Sequence, residues 1–547
     1  MASSSPSPGK ASPIAVRRRV PGMLVSVIVG SALGVLAYLR SADPIGDGGI
    51  NNVLTLILAF IAAATLVTWF VVFSSYPRVL RIVSVSAIAL ALAMFFGLYE
   101  IERVSGTLIP QFRSRFAPPR DATLRKAEPA VAKDAVDLAV ESEADFPQFL
   151  GPDRNATLSN VQLERDWQLY PPRQLWKQPI GAGWSGFTAR NGFAVTMEQR
   201  GDEELVTCYE VATGKLRWAH TEAGRHETVL GGIGPRSTPT IHLARVYALT
   251  ALGTLLCLDG ESGKPLWRVD LLEKFGTTSG QEAAEIAWGR SASPLIVDDL
   301  VVVPAGGPAN NPVSLAAFQQ ETGALVWQAG KTQISYASPA LATICGVRQI
   351  LSLNESDITA HAPLTGEILW QAEWPGDSSG SASASQPLTP GGDRVLLSKG
   401  YTVGGKLLQV AKDDVGKLSH SVVWENSRVL KTKFTNAAIV GEHAYDLSDG
   451  LLECVDIATG QHAWKGRRYG QGQLLAVGDV LLVMTENTGE VVMVDASPTK
   501  FRELGRFQAI AGQTWNTLCL YGNHLLARNS EEAACFELQL RSSARDK

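Results

Sequence analysis

The sequence lacks several features that would indicate a particular ligand or a metal site. It has no basic excess, with 49 Lys and Arg against 53 Asp and Glu and a formal net charge of −4, which argues against nucleic acid as a partner. Its eight histidines are scattered without the spacing of metal ligands, so no metal site is predicted. Only 19% of the residues are charged, and the 51 Gly and 28 Pro indicate a turn-rich, all-β body.

Three apolar stretches lie near the N-terminus, at residues 23–39, 53–73 and 82–99, and none contains a charged residue. Each has about the 20 residues that a helix needs to cross a membrane. We therefore predict three transmembrane α-helices within residues 21–99. The alternative for the first stretch is a cleaved signal peptide, because three arginines precede it, but Ala37-Tyr38-Leu39 is a poor cleavage site.

The distribution of Lys and Arg predicts how these helices are oriented. Basic residues occur in the tail, 1–20, and in the second short loop, whereas the first loop holds only Arg40 beside two aspartates. Basic loops favour the cytoplasmic side. We therefore expect a multi-pass protein of the cytoplasmic (inner) membrane, with everything after residue 99 on the periplasmic side.

The remaining chain divides into three parts by composition. Residues 100–145 are charged and carry Pro110, Pro118 and Pro119, which favours a linker or stalk. Aromatic and turn residues return at 146–154 and mark the start of a folded domain that we place at 146–540. The polar residues 541–547 are expected to form a disordered tail.

One phrase recurs through the folded domain: a small residue, a Gly six positions later within Thr-Gly or Ser-Gly, and a Trp four positions after that Gly. The copies span 208–218, 257–267, 317–327, 360–370 and 454–464. They recur at roughly the 45-residue period of a four-stranded propeller blade. We interpret the Gly as the turn between the third and fourth strands, and the Trp as a spacer between neighbouring blades.

The same repeat explains most of the cysteines. Cys208, Cys257, Cys454 and Cys535 occupy the slot that Ala fills in other copies, and no two of the six cysteines are adjacent. We therefore interpret these four as small core residues rather than as halves of disulfides.

A second phrase, most often Ser-x-Pro, opens the blades and is clearest at 236–239, 291–294, 336–339 and 384–387. Counting with both phrases gives seven complete blades between 184 and 508. The residues 513–540 supply only three further strands, and the segment 174–180, with Trp176, supplies the missing fourth. This closure removes the free edges of the ring. The sequence predicts an all-β, eight-bladed β-propeller with a mixed eighth blade.

The phrase A-x-D-x-x-T-G-x-x-x-W with its Ser-x-Pro openings resembles the pyrroloquinoline quinone (PQQ) repeat of the quinoprotein alcohol dehydrogenase-like propellers, over residues 146–540. The resemblance implies an eight-bladed fold. It leaves the activity open, because the family includes both dehydrogenases, which bind PQQ over the central channel beside Ca²⁺, and non-catalytic scaffolds. The adjacent cysteine pair common in the dehydrogenases is absent, and no metal-ligand set matches, so no catalytic residue is carried over.

The residues that open the innermost strands are expected to lie together at one end of the central channel. They are predicted to form a cationic, aromatic ligand-binding ring of Trp184, Arg236, Arg290, Tyr336, Lys433 and Trp515. Such a ring could bind a flat polyanion or an acidic peptide loop. The alternative is that these are ordinary loop residues around a polar channel mouth.

We therefore expect a membrane-anchored, extracytoplasmic propeller that acts without catalysis as a binding or scaffold module for a protein or envelope ligand. This function requires no cofactor. The alternative is a PQQ- and Ca²⁺-dependent membrane-bound dehydrogenase that oxidises an alcohol or a sugar. A ligand sensor is a third option, although no output domain follows the propeller.

Overall fold

The computed structural model describes residues 20–42, 47–124, 126–127 and 135–541 of the 547-residue chain. Apart from residues 20 and 541, the expected tails at 1–20 and 541–547 lie outside this part. The chain divides into two compact units: the N-terminal helices, with residues 113–116, and a much larger unit built from 101–112 and the chain from residue 117 onward.

The first unit contains three apolar helices: α1 Met23–Ala42, α2 Gly48–Thr68, which continues as a π-helical turn Trp69–Phe73, and α3 Arg78–Leu98. Asp47 caps α2, because its carboxylate accepts a hydrogen bond from the Gly49 backbone N–H at 2.8 Å. All three helices are long and apolar enough to cross a membrane, with mean hydropathies of 1.9, 2.6 and 2.3 in chain order. The three predicted helices are confirmed as helices.

The second unit is an eight-bladed β-propeller, which confirms the predicted fold. Blade 1 has strands Thr188–Arg190, Phe193–Arg200, Glu203–Glu210 and Leu216–Ala223. Blade 2 has Thr240–His242, Arg245–Leu249, Thr254–Asp259 and Pro265–Asp270. Blade 3 has Leu295–Val297, Leu300–Gly306, Val313–Gln319 and Leu325–Ala329. Blade 4 has Ala340–Ile344, Val347–Leu353, Asp357–His361 and Ile368–Glu373.

The remaining blades follow the same antiparallel order with three variations. Blade 5 has only three strands, Arg394–Lys399, Gly404–Lys412 and Leu418–Asn426. Blade 6 has Ala438–Val440, His443–Ser448, Leu451–Asp456 and Gln461–Arg468. Blade 7 has Gln473–Val477, Val480–Met484, Glu490–Asp495 and Glu503–Gln508, and it gains the short parallel strand Thr157–Leu158. Blade 8 has Cys519–Tyr521, His524–Arg528 and Glu532–Glu537, completed by Arg173–Pro179.

Blade 8 is mixed, as the sequence predicts. Its outermost strand comes from the start of the domain, and Trp176 is paired with Cys535 in the register of that strand. The same pairing of small residue with Trp occurs in the other copies of the repeat: Cys208 with Trp218, Cys257 with Trp267, Ala317 with Trp327, Ala360 with Trp370, and Cys454 with Trp464. All six cysteines are free, and five of them are buried.

Five of the outer-strand Trp side chains cover a turn glycine of the next blade, and Trp218 shows how. Its indole N–H donates to the carbonyl of Gly260 in blade 2 at 2.9 Å. Its ring covers the turn residue Gly263, where an added Cβ would lie 2.5 Å from the ring. Gly263 also has φ +70°, which favours glycine. The same ring-on-glycine contact joins Trp176 to Gly214, Trp267 to Gly323, Trp327 to Gly366 and Trp424 to Gly460.

The Ser-x-Pro phrases have a structural role around the channel. The Thr238 backbone N–H donates to the Ser293 hydroxyl at 2.9 Å, and the Ser293 N–H donates to the Ser338 hydroxyl at 2.9 Å. These bonds connect the innermost strands of blades 2, 3 and 4 in sequence. The phrase therefore satisfies backbone groups that would otherwise face the channel unpaired.

A lead-in segment, residues 146–163, contacts every blade in turn. Phe146 is bridged to Ala189 of blade 1, and Leu163 to Leu540 beyond the last strand of blade 8. Between them, the buried Arg154 guanidinium donates to the carbonyls of Pro294 at 3.0 Å and Pro339 at 3.2 Å. Burial lowers the pKa of Arg154 to about 9. The contacts with the other blades run through Ile241, Gln386, Ile439 and Ala476.

Part of the segment expected to be a linker, 100–145, has regular structure. Strands Tyr99–Val104 and Pro110–Ser114 form a hairpin, and α4 spans Arg120–Thr123. Leu138 is buried in the core shared by blades 1 and 2. Insertions between blades add the short strands Glu227–Thr228 and Gly232–Ile233, and the helices α5 Leu271–Lys274 and α6 Ser279–Glu285.

Candidate functional site

The candidate site is the channel mouth, the end of the central channel at which the innermost strands begin. Two of its predicted residues are in contact: the rings of Trp184 and Trp515 have centroids 4.6 Å apart. Phe434 lies 4.6 Å from Trp515 as well. Residues that precede blades 1, 6 and 8 thus form one aromatic cluster. Offset or tilted ring pairs of this kind stabilise by about 1 kcal/mol each.

Arg236 adjoins this cluster through a shared acceptor. Its guanidinium donates to the carbonyls of Gly231 at 2.6 Å and Gly234 at 2.7 Å, and the Trp184 indole donates to the same Gly231 carbonyl at 2.7 Å. Within the part of the chain that the structure describes, Arg236 forms no ion pair. Burial lowers the pKa of Arg236 to about 10, and the nearby Tyr336 and Glu204 act in the opposite direction.

Tyr336 lies on the side of the mouth formed by blades 3 and 4. Its ring stacks on Trp288 with centroids 5.0 Å apart. Its hydroxyl donates to the Ser378 carbonyl at 2.6 Å and accepts from the Trp288 backbone N–H at 3.2 Å. Burial raises the pKa of Tyr336 well above its ordinary value. Tyr336 is therefore neutral and fixed by its neighbours.

The other two predicted cations are neutralised within the mouth. The Arg290 guanidinium lies 2.7 Å from the Glu282 carboxylate of α6, and both side chains are buried. The Lys433 ammonium lies 3.3 Å from the buried Asp449 carboxylate. These acids belong to an inserted helix and to a turn, outside the opening phrases. Two of the three predicted cations are thus paired, and Arg236 is the predicted cation that has no such acid among the described residues.

The mouth is also occupied by the chain itself. We call residues 105–109, which join the two strands of the N-terminal hairpin, the mouth loop. The Gly106 backbone N–H donates to the Glu486 carboxylate at 2.5 Å, and the Gln513 side-chain amide donates to the Val104 carbonyl at 3.2 Å. A Cβ at Gly106 would lie 2.5 Å from Cγ of Gln471. Only glycine therefore fits this position without a shift.

Glu486 links the mouth loop to the aromatic cluster. The Oε1 atom that accepts from Gly106 also accepts from the Trp515 indole at 3.0 Å. Its second oxygen accepts from the Gln471 backbone N–H at 2.8 Å. Sequence reasoning missed Glu486 because it lies between strands two and three of blade 7, outside both repeated phrases. Its one sequence signal was an acid in the connection between two largely apolar strands.

A second anchor holds the chain beside the mouth. Arg103 forms an ion pair with Glu531 of blade 8 at 3.3 Å. The buried Asp121 carboxylate accepts from Arg225 at 2.7 Å and from the Gly201 backbone N–H at 3.1 Å. Residues from the expected linker thus contact blades 1, 7 and 8.

The mouth residues do not fit a quinone stacked at this point. The Trp515 ring already contacts two aromatic side chains, and its indole nitrogen is bonded to the carboxylate that holds the mouth loop. A flat cofactor would have to displace these groups. Among the described residues, no group of three or more His, Cys, Asp or Glu is arranged to hold a metal ion.

The antiparallel blades, the Trp-on-Gly contacts and the closing strand define a propeller of PQQ-type repeats. The chain belongs to the family whose profile is described as outer membrane protein assembly factor BamB, which matches residues 202–466 and 356–506. The family resemblance predicted from the repeated phrases is thereby confirmed.

The proteins similar to this chain include assembly factors and alcohol dehydrogenases. The outer membrane protein assembly factor BamB of Moranella endobia (strain PCIT) is 23% identical over 277 residues, which cover 47% of this chain and 64% of that protein. The match thus spans less than two thirds of that relative. Quinohemoprotein alcohol dehydrogenase from Comamonas testosteroni matches with a TM-score of 0.51 and 11% identity, over 74% of this chain and 82% of its own.

Two further solved structures are similar to this chain. ADHIIG, a quinohemoprotein alcohol dehydrogenase of Pseudomonas putida HK5, matches with a TM-score of 0.51 and 12% identity, over 75% of this chain and 84% of its own. BamB from Moraxella catarrhalis has a TM-score of 0.47 and 16% identity, over 67% of this chain and 99% of its own. At these identities the likeness concerns the fold alone.

Proposed function

We propose that the chain is a membrane-anchored, extracytoplasmic propeller that acts as a non-catalytic binding or scaffold module for a protein. The observation that carries this proposal is the occupied channel mouth, where the Gly106 N–H and the Trp515 indole share one carboxylate oxygen of Glu486. The mouth is thus already filled by polypeptide. Membership of a family described as an outer membrane protein assembly factor supports a role in handling proteins.

Anchorage in the inner membrane is part of the same proposal. The helices α1, α2 and α3 have the required length and hydropathy, and the excess of basic residues in the second loop favours a periplasmic propeller. A reporter enzyme that is active only outside the cytoplasm, fused after residue 541, should be active. Activity only from a cytoplasmic reporter at that position would overturn the proposed orientation.

Within this function, we propose that the predicted mouth residues bind an acidic group of the ligand on the Arg236 side. Support comes from the contacts of Arg236, which are backbone carbonyls rather than carboxylates. A blocked tetraglutamate peptide should bind the purified full chain in a salt-sensitive manner by calorimetry. The double variant Arg236→Ala, Trp515→Ala should lose this binding, while Arg268→Ala, on the outer strand of blade 2, should keep it. Unchanged peptide binding in the double variant would contradict the proposal.

The direct test of the non-catalytic function uses the full chain in nanodiscs, incubated with PQQ and Ca²⁺. Reduction of an electron-accepting dye by alcohols or sugars should not exceed the rate measured without quinone. Saturable, quinone-dependent reduction would instead establish the dehydrogenase alternative.

A further inference from the structure

The outermost strand of every blade is an edge whose outer backbone N–H and C=O groups have no neighbouring strand. Such edges bind other strands unless charged side chains, especially lysine, discourage pairing. The outer strands of five blades follow this rule. They carry Arg217 in blade 1, Arg268 in blade 2, Lys465, Arg467 and Arg468 in blade 6, Arg506 in blade 7, and Arg173 and Lys177 in blade 8.

The outer strands of blades 3, 4 and 5 depart from the rule. Leu325–Ala329, Ile368–Glu373 and Leu418–Asn426 contain neither Lys nor Arg. The three blades are consecutive, so these strands form one continuous arc of the propeller wall. We call this surface the uncharged arc because its strands lack Lys and Arg; their ionisable groups are His420, within the blade 5 strand, and Glu373 and Glu425, at or next to strand ends.

Apolar side chains are exposed along the uncharged arc. Val326 is 47% exposed in blade 3, and Val422 and Val423 are 52% and 48% exposed in blade 5. The strand in blade 5 is also long, with nine residues, and five consecutive residues from Ser419 to Val423 are exposed. Exposed apolar side chains beside free backbone groups are typical of an interaction site.

A groove lies between two of these strands, in blades 3 and 4. It has a volume of about 600 Å³ and is lined by Gln328 and Ala329 of blade 3 and by Ile368 and Gln371 of blade 4. The rest of its lining is mostly neutral as well, with Lys331 and Asp357 as its two charged members. This chemistry suits the uncharged side chains of an added strand.

We propose that the uncharged arc binds an extended, uncharged segment of a partner protein by adding it as a further strand to the edge of blade 3, 4 or 5. This inference rests on the proposed function, because it names the surface by which the module binds a protein. Main-chain hydrogen bonds supply affinity in such β-addition, and alternate side chains supply specificity. Here the exposed valines and the groove receive those side chains.

The repeat itself supplies a matched control. Val326, Val423 and Leu266 all stand immediately before the Trp of their outer strands, and Leu266, in blade 2, is 50% exposed. A lysine at any of these positions costs similar local stability. Only at Val326 and Val423 would it place a charge on the uncharged arc, because Leu266 lies on a strand that already carries Arg268.

The probe is a blocked ten-residue peptide of alternating threonine and valine with a fluorescent label, titrated against the full chain in nanodiscs by anisotropy. We expect saturable binding that Val326→Lys or Val423→Lys weakens at least tenfold and that Leu266→Lys changes less than twofold. A peptide N-methylated at every residue should not bind, because neither of its edges can donate the backbone hydrogen bonds of a strand. Hydrogen exchange should slow in the outer strands of blades 3–5 when the unmodified peptide is bound.

Several results would overturn the inference. These are absence of peptide binding, equal weakening by Leu266→Lys, or equal binding of the N-methylated peptide. Self-association of the full chain that Val326→Lys abolishes would make a second copy the occupant and would also overturn it. Quinone-dependent dye reduction, in contrast, would refute the proposed function whatever the peptide result, so the two failures can be told apart.

Discussion

The contact between a Trp ring and a turn glycine is the residue-scale unit of this propeller. In blade 4, Gly366 has φ +74° and lies under the Trp327 ring, where an added Cβ would be 2.5 Å from the ring. Gly346 of the same blade has φ +72° with open space around its Cβ position. The two glycines therefore share a backbone conformation and differ in packing.

This difference predicts two distinct losses of stability. Gly346→Ala should lower the free energy of unfolding by about 1–2 kcal/mol, the cost of a left-handed backbone for an L-residue. Gly366→Ala should cost a further ~1–3 kcal/mol, because the methyl group overpacks against Trp327. Thermal unfolding of the full chain in detergent, followed by circular dichroism, measures both. Equal shifts would mean that the ring contact contributes nothing.

A second residue-scale feature is the buried carboxyl of Glu204, which accepts from the Ala251 backbone N–H at 3.0 Å. Burial raises the pKa of Glu204 from 4.5 to about 8, against the opposing effects of this hydrogen bond and of Arg236. Below pH 4.5 the group is protonated in both the folded and the unfolded chain. Between pH 4.5 and 8 the unfolded chain loses the proton and the folded chain keeps it. The free energy of unfolding therefore falls as the pH rises through this window.

Glu204→Gln should remove this pH dependence, because glutamine keeps the acceptor and cannot ionise. The variant should match the wild type near pH 4.5 and become progressively more stable than it up to pH 8. The scale is about 1.4 kcal/mol per unit of pKa change. Unfolding midpoints across this range measure the effect, and the exposed neighbour Glu203, changed to Gln, serves as control. A constant difference between Glu204→Gln and the wild type would contradict the assignment.

Whether the six predicted mouth residues bind a ligand stays a prediction, but the structure shows how two of them are placed and which partners others have. Trp184 and Trp515 are in contact, as a common position at the starts of strands requires. The carboxylates that balance Arg290 and Lys433 were not foreseeable, because Glu282 and Asp449 come from an inserted helix and a turn outside the repeat. Spacing within a repeat carries no information about such insertions.

At the scale of elements, the repeated phrases predicted the blades wherever those phrases were regular. The mixed eighth blade followed from counting strands, and the Trp176–Cys535 pairing confirms it. Blade 7 has no Trp in its outer strand, and Gly505 stands there opposite Met493. Trp167 of the chain leading to the closing strand covers Gly505 instead, with its Cβ 3.3 Å from the position of an added Cβ. When a Trp from a distant segment takes the place of the outer-strand Trp, the local sequence gives no sign of it.

The hairpin before the propeller illustrates the same limit. Its sequence is charged and short, so composition alone predicted a linker. The regular structure of this hairpin depends on long-range contacts. Two of them are the Gly106–Glu486 hydrogen bond and the Arg103–Glu531 ion pair. Only the fold brings these groups together.

Gly106→Leu should displace the mouth loop, because its side chain would collide with Gln471 and Glu486. Hydrogen exchange of residues 101–112 in the full chain should then rise at least tenfold. The unfolding midpoint of the propeller should change little, since the blades close without the loop. Ile109→Ala, which trims an exposed side chain of the same loop, should leave the exchange unchanged. Wild-type exchange in Gly106→Leu would show that the loop does not occupy the mouth.

At the scale of the whole molecule, the chain combines apolar helices with a propeller whose channel is engaged by its own polypeptide in two places. The lead-in segment contacts all eight blades through residues such as Arg154. The mouth loop contacts blade 7, and the adjoining Val104 contacts Gln513 before blade 8. The two surfaces that we propose for a partner are the Arg236 side of the mouth and the uncharged arc. Both suit recognition of a polypeptide.

Native mass spectrometry of the full chain, extracted in mild detergent from the membranes of its own organism, tests the central claim most directly. We predict a complex whose added mass is a second polypeptide at fixed stoichiometry, and which Val326→Lys dissociates while Leu266→Lys preserves it. A chain that carries only the mass of one PQQ and one Ca²⁺, with no second polypeptide, would contradict the account.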